Sequence, residues 1–313
     1  MRILVALGGN AMTAPDGSAA PDDQRRAIAG AAVHLADLVA AGHEVIVTHG
    51  NGPQVGNILR KNEIAAGELP PVSLDWCGAQ TQGTLGFTIV DRIEKELGDR
   101  GLARPVVALV TRTAVDPDDP AFTHPVKPIG AYHPRAHAAR MERHGQVWHD
   151  FGEKGWRRVV ASPDPVEVLE TRTIVHLVDA GWIVVAAGGG GIPVVPDGHG
   201  HNGVSAVIDK DLTAARLAAS VGADCLLIAT DVPHAVSGYG TPEACDIGAV
   251  SVAELREMHR SGEFGSGSMG PKIEAVLRFV EGGGRRGVIT ALSSLGAAAE
   301  GAVGTVVTSA GPA

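Results

Sequence analysis

Lys210 stands between two carboxylates in the run Ala206-Val207-Ile208-Asp209-Lys210-Asp211-Leu212. There an apolar, strand-like segment stops on an acid–base–acid triplet, ahead of a helical stretch from Leu212 to Val221. A charge withdrawn from water must be paired or hold a ligand. An ammonium is a compact point charge suited to a phosphoryl oxygen. Two further lysines occupy short loops bounded by Pro and Gly: Lys127 in Val126-Lys127-Pro128-Ile129-Gly130, and Lys272 in Gly267-Ser268-Met269-Gly270-Pro271-Lys272. Three ammonium groups in such settings point to chemistry that handles phosphoryl charge.

Glycine runs recur where apolar segments end: Leu7-Gly8-Gly9-Asn10-Ala11, Thr48-His49-Gly50-Asn51-Gly52-Pro53-Gln54, and Ala187-Gly188-Gly189-Gly190-Gly191-Ile192-Pro193. In open parallel sheets, ligands bind at the carboxyl ends of the strands. Glycine there lets backbone N–H groups approach an anion, and the helix that follows adds its positive end. Asn10 and Asn51 add side-chain donors. The segment Gly265–Gly270 has GxGxxG spacing, but a helical stretch (Val252–Ser261) precedes it instead of a strand. Pro271 also stands where a P-loop needs its Gly-Lys-Ser/Thr. The segment reads as a glycine-rich loop opening a helix with Pro271 at its first position, and a nucleotide phosphate is its natural occupant.

These residues need a frame. Apolar runs at Arg2–Leu7, Glu44–Thr48, Ile183–Ala187, Cys225–Ala229 and Gly287–Thr290 alternate with helical patterns such as Asp22–Ala41 and Pro53–Ala66. Continuous apolar strands alternating with helices predict an α/β fold whose mainly parallel sheet is covered on both faces. Gly42 and Gly181 follow helical stretches, where a left-handed cap is wanted. Asp75 reads as the N-cap of a long helix that includes Gln82. From Asp116 to Trp156 the chain is rich in Pro, His and charge and shows no apolar strand. That segment is an excursion from the sheet, either a surface insertion or a lid carrying Lys127.

With 313 residues, the chain makes one large domain or two lobes. Lys+Arg number 26 and Asp+Glu 35, a net charge of −9 that argues against a nucleic-acid-binding surface. Any anionic ligand must be held by local lysines and amides against that field. Cys77, Cys225 and Cys245 form no CxxC pair, which predicts a reducing, cytoplasmic setting without a disulfide framework. No apolar stretch approaches 18 residues, so no membrane span is expected. Thirteen histidines contain no HExxH, and Asp197, His199 and His201 read as a solvated loop, so no protein metal site is expected. A dehydrogenase is disfavoured by the glycine contexts, and a non-catalytic ligand sensor by the three intact lysines.

Taken together and in this order, the glycine runs, Lys127-Pro128-Ile129-Gly130, Gly155-Trp156-Arg157-Arg158-Val159-Val160, Ala206-Val207-Ile208-Asp209-Lys210-Asp211 and Gly267-Ser268-Met269-Gly270-Pro271-Lys272 resemble the carbamate kinases of the amino acid kinase family, over almost the whole length. The resemblance implies a three-layer α/β/α sandwich and a homodimer. It implies the reaction ATP + carbamate ⇌ ADP + carbamoyl phosphate, with Mg²⁺ accompanying the nucleotide, used toward ATP in arginine or purine and allantoin breakdown. It implies that Lys210 and Lys272 neutralise the moving phosphoryl, that Asp209 and Asp211 orient them, and that Lys127 reaches in from a protruding subdomain at 116–156. It assigns Gly8, Gly9, Asn10, Gly50, Asn51 and Gly52 to phosphoryl and carbamate, and Asp231, Gly267, Ser268 and Met269 to the nucleotide. Residues 1–200 would form the carbamate and phosphoryl lobe, and 201–313 the nucleotide lobe, on a shared sheet. The chain departs from the family pattern at Ser205, where a Glu is usual, near Pro233, where another acid is usual, and in the His199/His201 segment. A paralogue phosphorylating another small carbamate or carboxylate is the alternative.

Overall fold

The computed structural model describes residues 1–13, 20–264 and 268–311. Its centre is an eight-stranded sheet in the order Ala249–Ser251, Thr305–Thr308, Arg286–Ala291, Cys225–Thr230, Arg2–Leu7, Glu44–His49, Ile183–Val185, Val106–Ala108. Every neighbouring pair is parallel except Arg286–Ala291 with Thr305–Thr308. Strands from before and after residue 200 therefore share one hydrogen-bonded sheet, with Arg2–Leu7 joined to Cys225–Thr230.

Both faces of the sheet are buried, which is why its strands read as unbroken apolar runs. Along Arg2–Leu7, Ile3, Val5 and Leu7 enter one core, while Leu4 and Ala6 enter the other. Cys225–Thr230 repeats the alternation, with Leu226 and Ile228 opposite Cys225, Leu227 and Ala229. The first core is covered by helices α1 (Pro21–Ala40), α3 (Leu74–Asp99) and α9 (Leu295–Ala299). The second is covered by α5 (Thr171–Asp179), α6 (Lys210–Ser220), α7 (Val252–Arg260) and α8 (Met269–Glu281). The result is a three-layer α/β/α sandwich. Gly42 and Gly181 take φ of 83° and 87° after α1 and α5, the left-handed caps expected of them. No helix among the described residues is long and apolar enough to cross a membrane.

The excursion corrects the sequence reading. It does contain strands: Lys127–His133, Val147–Asp150 and Trp156–Val160 form a three-stranded antiparallel sheet, with α4 (Arg135–Glu142) inserted. Only Ile129, Trp148, Val159 and Val160 are buried along these strands, which leaves little of a strand's alternation. Pro128 and the irregularity between Ile129 and Tyr132 interrupt even that alternation, so no apolar run marks them. The small sheet sits on helix α2 (Gly52–Ala65), where Ile129 and Val160 pack with Val55, Leu59, Leu74 and Cys77.

Other details differ too. Ser73, not Asp75, is the N-cap of α3, and Asp75 lies in its first turn. The His199/His201 segment is a hairpin, Ile192–Asp197 against Gly200–Gly203, with both histidines exposed.

Candidate active site

Helix α6 begins at Lys210, not after it. The preceding residues are tied to the fold by a single bridge, Ala161 to Ala206, and do not form a strand. Asp209 is the N-cap, and its Oδ1 accepts the Asp211 N–H at 2.9 Å. That cap presents Asp209, Lys210 and Asp211 together at the positive end of a helix, where carboxylates are favoured.

The three lysines gather on these two acids. Lys127, the first residue of the strand Lys127–His133, donates to Asp209 Oδ2 at 2.9 Å. Lys272 lies on α8 with Pro271 third, not first, in the helix, and it donates to Asp211 Oδ2 at 2.9 Å. Lys210 donates to the other oxygen, Asp211 Oδ1. One carboxylate, 5% exposed, therefore holds two ammonium groups. Burial pushes the Asp211 carboxyl upward, but Lys210 and Lys272 outweigh it and hold it below the usual carboxylate range. Burial pushes the Lys210 ammonium down; Asp211 pulls it back, and the Lys272 charge lowers it further. Three ammoniums facing two carboxylates leave a formal surplus of +1 (3 − 2), in a chain whose net charge is −9. An arriving anion completes the balance.

Two cavities flank this group. One, of about 340 Å³, is lined by Gly8, Gly9, Ala229, Thr230, Asp231, Ser268, Lys272 and Leu292. The other, of about 140 Å³, includes Asn51, Gly52, Lys127, Gly130, Arg157, Gly189 and Gly191 in its wall. Gly50 lies between them. A Cβ there would meet Lys210 Cδ at 3.2 Å and Cε at 3.4 Å, so glycine gives that lysine's stem its passage. Asn10 follows Gly9 in a short 3₁₀ turn. Asn51 caps α2 by position, and its Nδ2 donates to Thr81 Oγ1 at 2.8 Å. Met269 opens α8 and packs on the core instead of lining either cavity. Gly267 lies outside the described residues. Ser205 is exposed and Pro233 likewise, so neither takes part in the lysine cluster.

Sequence reading passed over Arg157, whose Nε donates to Gly130 O at 2.9 Å beside the smaller cavity. It also passed over His49 as a group with chemistry of its own. The ring is buried, its Nδ1 is 2.9 Å from the Gly50 carbonyl, and a Cβ on Gly188 would fall 2.4 Å from its Nε2. Burial drives its pKa down from 6.5 to about 4; the Gly50 bond opposes this and the Lys210 charge adds to it. The unfolded chain thus binds a proton that the folded chain refuses. Stability from this group is complete above about pH 6.5 and declines as the pH falls toward about 4. The expected loss by pH 4.5 is about 2–3 kcal/mol. Denaturant titrations at pH 7.5 and 4.5 should show a smaller acid loss in His49→Gln than in wild type. Equal losses would show that His49 is not held neutral.

Glu63, His133 and His137 have ligand atoms within 4.8 Å of one another, between α2 and the lid. Arg60 donates to Glu63 Oε2 at 3.0 Å and Arg140 approaches His137 Nδ1 at 3.2 Å. Guanidiniums on two of the three groups make this a contact between α2 and the small antiparallel sheet, and a poor cation site.

The sequence pattern of the amino acid kinase family matches residues 1–291. The chain is 42% identical to the carbamate kinase of Pyrococcus horikoshii, over 98% of this chain and 99% of that one. It is 44% identical to the carbamate kinase of Thermococcus kodakarensis, over 98% of each. Among solved structures, the carbamate kinase from Giardia lamblia bound to AMP-PNP superposes with a TM-score of 0.93 at 36% identity, covering 98% of both chains.

Proposed function

The chain belongs to the amino acid kinase family, and from that premise we propose that it is a carbamate kinase, an ATP-dependent phosphotransferase catalysing ATP + carbamate ⇌ ADP + carbamoyl phosphate. The observation that carries this reading is the pairing of Lys210 and Lys272 on the single carboxylate of Asp211, with a cavity on either side. The larger cavity, with Asp231, Ser268 and Lys272, takes the nucleotide phosphates. The smaller, with Asn51, Gly52 and Lys127, suits a four-heavy-atom acceptor.

Phosphoryl transfer needs positioning and charge neutralisation more than covalent help. Carbamate is already an oxyanion, so its oxygen attacks the γ-phosphorus without a general base. The bond to the ADP oxygen breaks as the new P–O bond forms. Lys210 and Lys272 exchange part of their contact with Asp211 for the phosphoryl oxygens, and Lys127 brings a third ammonium from the lid. Asp209 and Asp211 hold the three in place between turnovers. Asp209 and Asp211 are taken by lysines, so Mg²⁺ would be held by the phosphate oxygens and water, with Asp231 of the larger cavity able to contribute. It would supply further charge neutralisation there.

The 98–99% mutual coverage and 42–44% identity favour carbamate over another acceptor. Exposed Trp76 and Phe87 on α3, at 62% and 54%, support a homodimer through that helix. Carbamoyl phosphate is a mixed anhydride and the stronger phosphoryl donor, which favours the ATP-forming direction in arginine or purine breakdown.

Coupled assay of ATP formation from ADP and carbamoyl phosphate tests the proposal. Turnover that requires both substrates is expected. If acetyl phosphate or another acyl phosphate is used better than carbamoyl phosphate, the acceptor is misassigned.

A further inference from the structure

Four consecutive glycines, Gly188–Gly191, cross the floor of the site with almost no room above them. A Cβ on Gly189 would lie 2.0 Å from Asn51 Nδ2, one on Gly190 2.6 Å from Ile208 O, and one on Gly191 2.0 Å from Thr113 Oγ1. Such a loop has no side chains with which to hold its own shape, and glycine is the residue most expensive to order. Ala187, just before it, is the one non-glycine residue with positive φ (52°) among the described residues. Gly190 N–H to Ala187 O and Gly191 N–H to Gly188 O, at 3.0 and 3.1 Å, close the turn, and side chains hold it from outside. Thr48 donates to Ala187 O at 2.9 Å, and Thr113 and Thr213 donate to Gly190 O at 2.9 and 3.0 Å.

A further strap is Gln82, on α3 and 4% exposed. Its Oε1 accepts the Thr111 N–H at 2.7 Å, and its Nε2 donates to both Thr111 O and Gly188 O at 3.1 Å. Thr111 in turn donates its hydroxyl to Leu109 O and accepts the Ala187 N–H at 3.0 Å. One amide therefore clips together two strand-end loops that are far apart in sequence. The clipped loop places Gly189 and Gly191 in the wall of the acceptor cavity beside Asn51 and Lys127. The adjacent residue, Thr81, holds Asn51 itself.

We propose that Gln82 is a positioning residue for the acceptor half of the site. It fixes the tetraglycine floor against which the carbamoyl group is oriented, and does not touch the nucleotide half. This rests on the carbamate kinase reading above. The fixed floor matters because ångström-scale misplacement of an acceptor is costly in phosphoryl transfer, while a slack floor leaves the nucleotide cavity unaltered.

The test uses Gln82→Glu, which keeps shape and the bond from Thr111 N–H but sets a carboxylate oxygen against the Thr111 and Gly188 carbonyls. Gln82→Met, of similar length with no hydrogen bonds, is the second variant should the first not fold. KM for carbamoyl phosphate is expected to rise on the order of 10-fold or more, because buried partners lose their bonds, with KM for ADP within about twofold. Hydrogen exchange over 187–191 should accelerate on the order of 10-fold. An equal rise in both KM values would make Gln82 a general stability residue and overturn the proposal. Unchanged exchange in 187–191 would overturn it whatever the substrate proves to be. Failure of the wild-type protein to use carbamoyl phosphate would instead strike at the functional reading, leaving the exchange result to decide the strap.

Discussion

Replacing Lys210 with alanine is expected to lower kcat on the order of 10²–10³-fold, the cost of losing one preorganised donor to a developing oxyanion. The fold should survive, because Asp211 keeps Lys272 as its partner at 2.9 Å. The nucleotide should still bind, because Lys210 does not line the larger cavity. The expected signature is a fall in kcat with KM for ADP nearly constant, which marks an interaction made in the transition state. Steady-state kinetics in the ATP-forming direction, with a denaturant titration of the same variant, would read both. Near-wild-type turnover would remove Lys210 from the chemistry.

The second large effect is on stability. Asp211→Ala leaves Lys210 and Lys272 buried, adjacent and without the carboxylate they share. Removing one member of a buried ion group costs about 3–5 kcal/mol, because the remaining charge is left unpaired. Here two like charges remain, so the upper part of that range is expected from equilibrium unfolding at neutral pH. Part of the loss should return with an anion that fills the gap, such as phosphate, or at high pH, where Lys210 sheds its proton. A loss below about 1 kcal/mol, typical of an exposed pair, would show that the cluster is solvated and not the buried charge trap described above. Asp211→Ala and Lys210→Ala thus separate two expected effects: a loss of stability from removing the acid, and a loss of turnover from removing the lysine.

The sheet was legible in the sequence because every one of its inner strands is buried on both faces, so Ile3 to Leu7 or Leu226 to Ala229 can carry nothing but apolar side chains. The lysines were legible for a related reason. Asp209-Lys210-Asp211 is an unusual thing to find beside apolar residues, and Lys272 follows a glycine-rich turn. The strands Lys127–His133, Val147–Asp150 and Trp156–Val160 were not, since only Ile129, Trp148, Val159 and Val160 are buried along them. The Ala- and Gly-rich stretch Gly296–Gly304 carries no helical apolar pattern, yet most of α9 lies in it. Ala298 and Ala299 are fully buried there, and small residues suit a short helix pressed close to a sheet. Gln82 was read only as part of a helix. Its partners are backbone atoms at Thr111 and Gly188, 29 and 106 residues away, and nothing local in a sequence records a bond to a distant carbonyl.

The most direct measurement is a crystal structure of the protein with ADP, Mg²⁺, carbamate and a planar phosphoryl mimic such as trifluoromagnesate. The account predicts the mimic between the two cavities, with the ammonium nitrogens of Lys127, Lys210 and Lys272 each within about 3 Å of a fluorine, the reach of a charge-assisted hydrogen bond. If Lys210 and Lys272 instead stay closed on Asp211 while the mimic sits elsewhere, the lysine trio is a structural ion cluster and the proposed chemistry does not happen there.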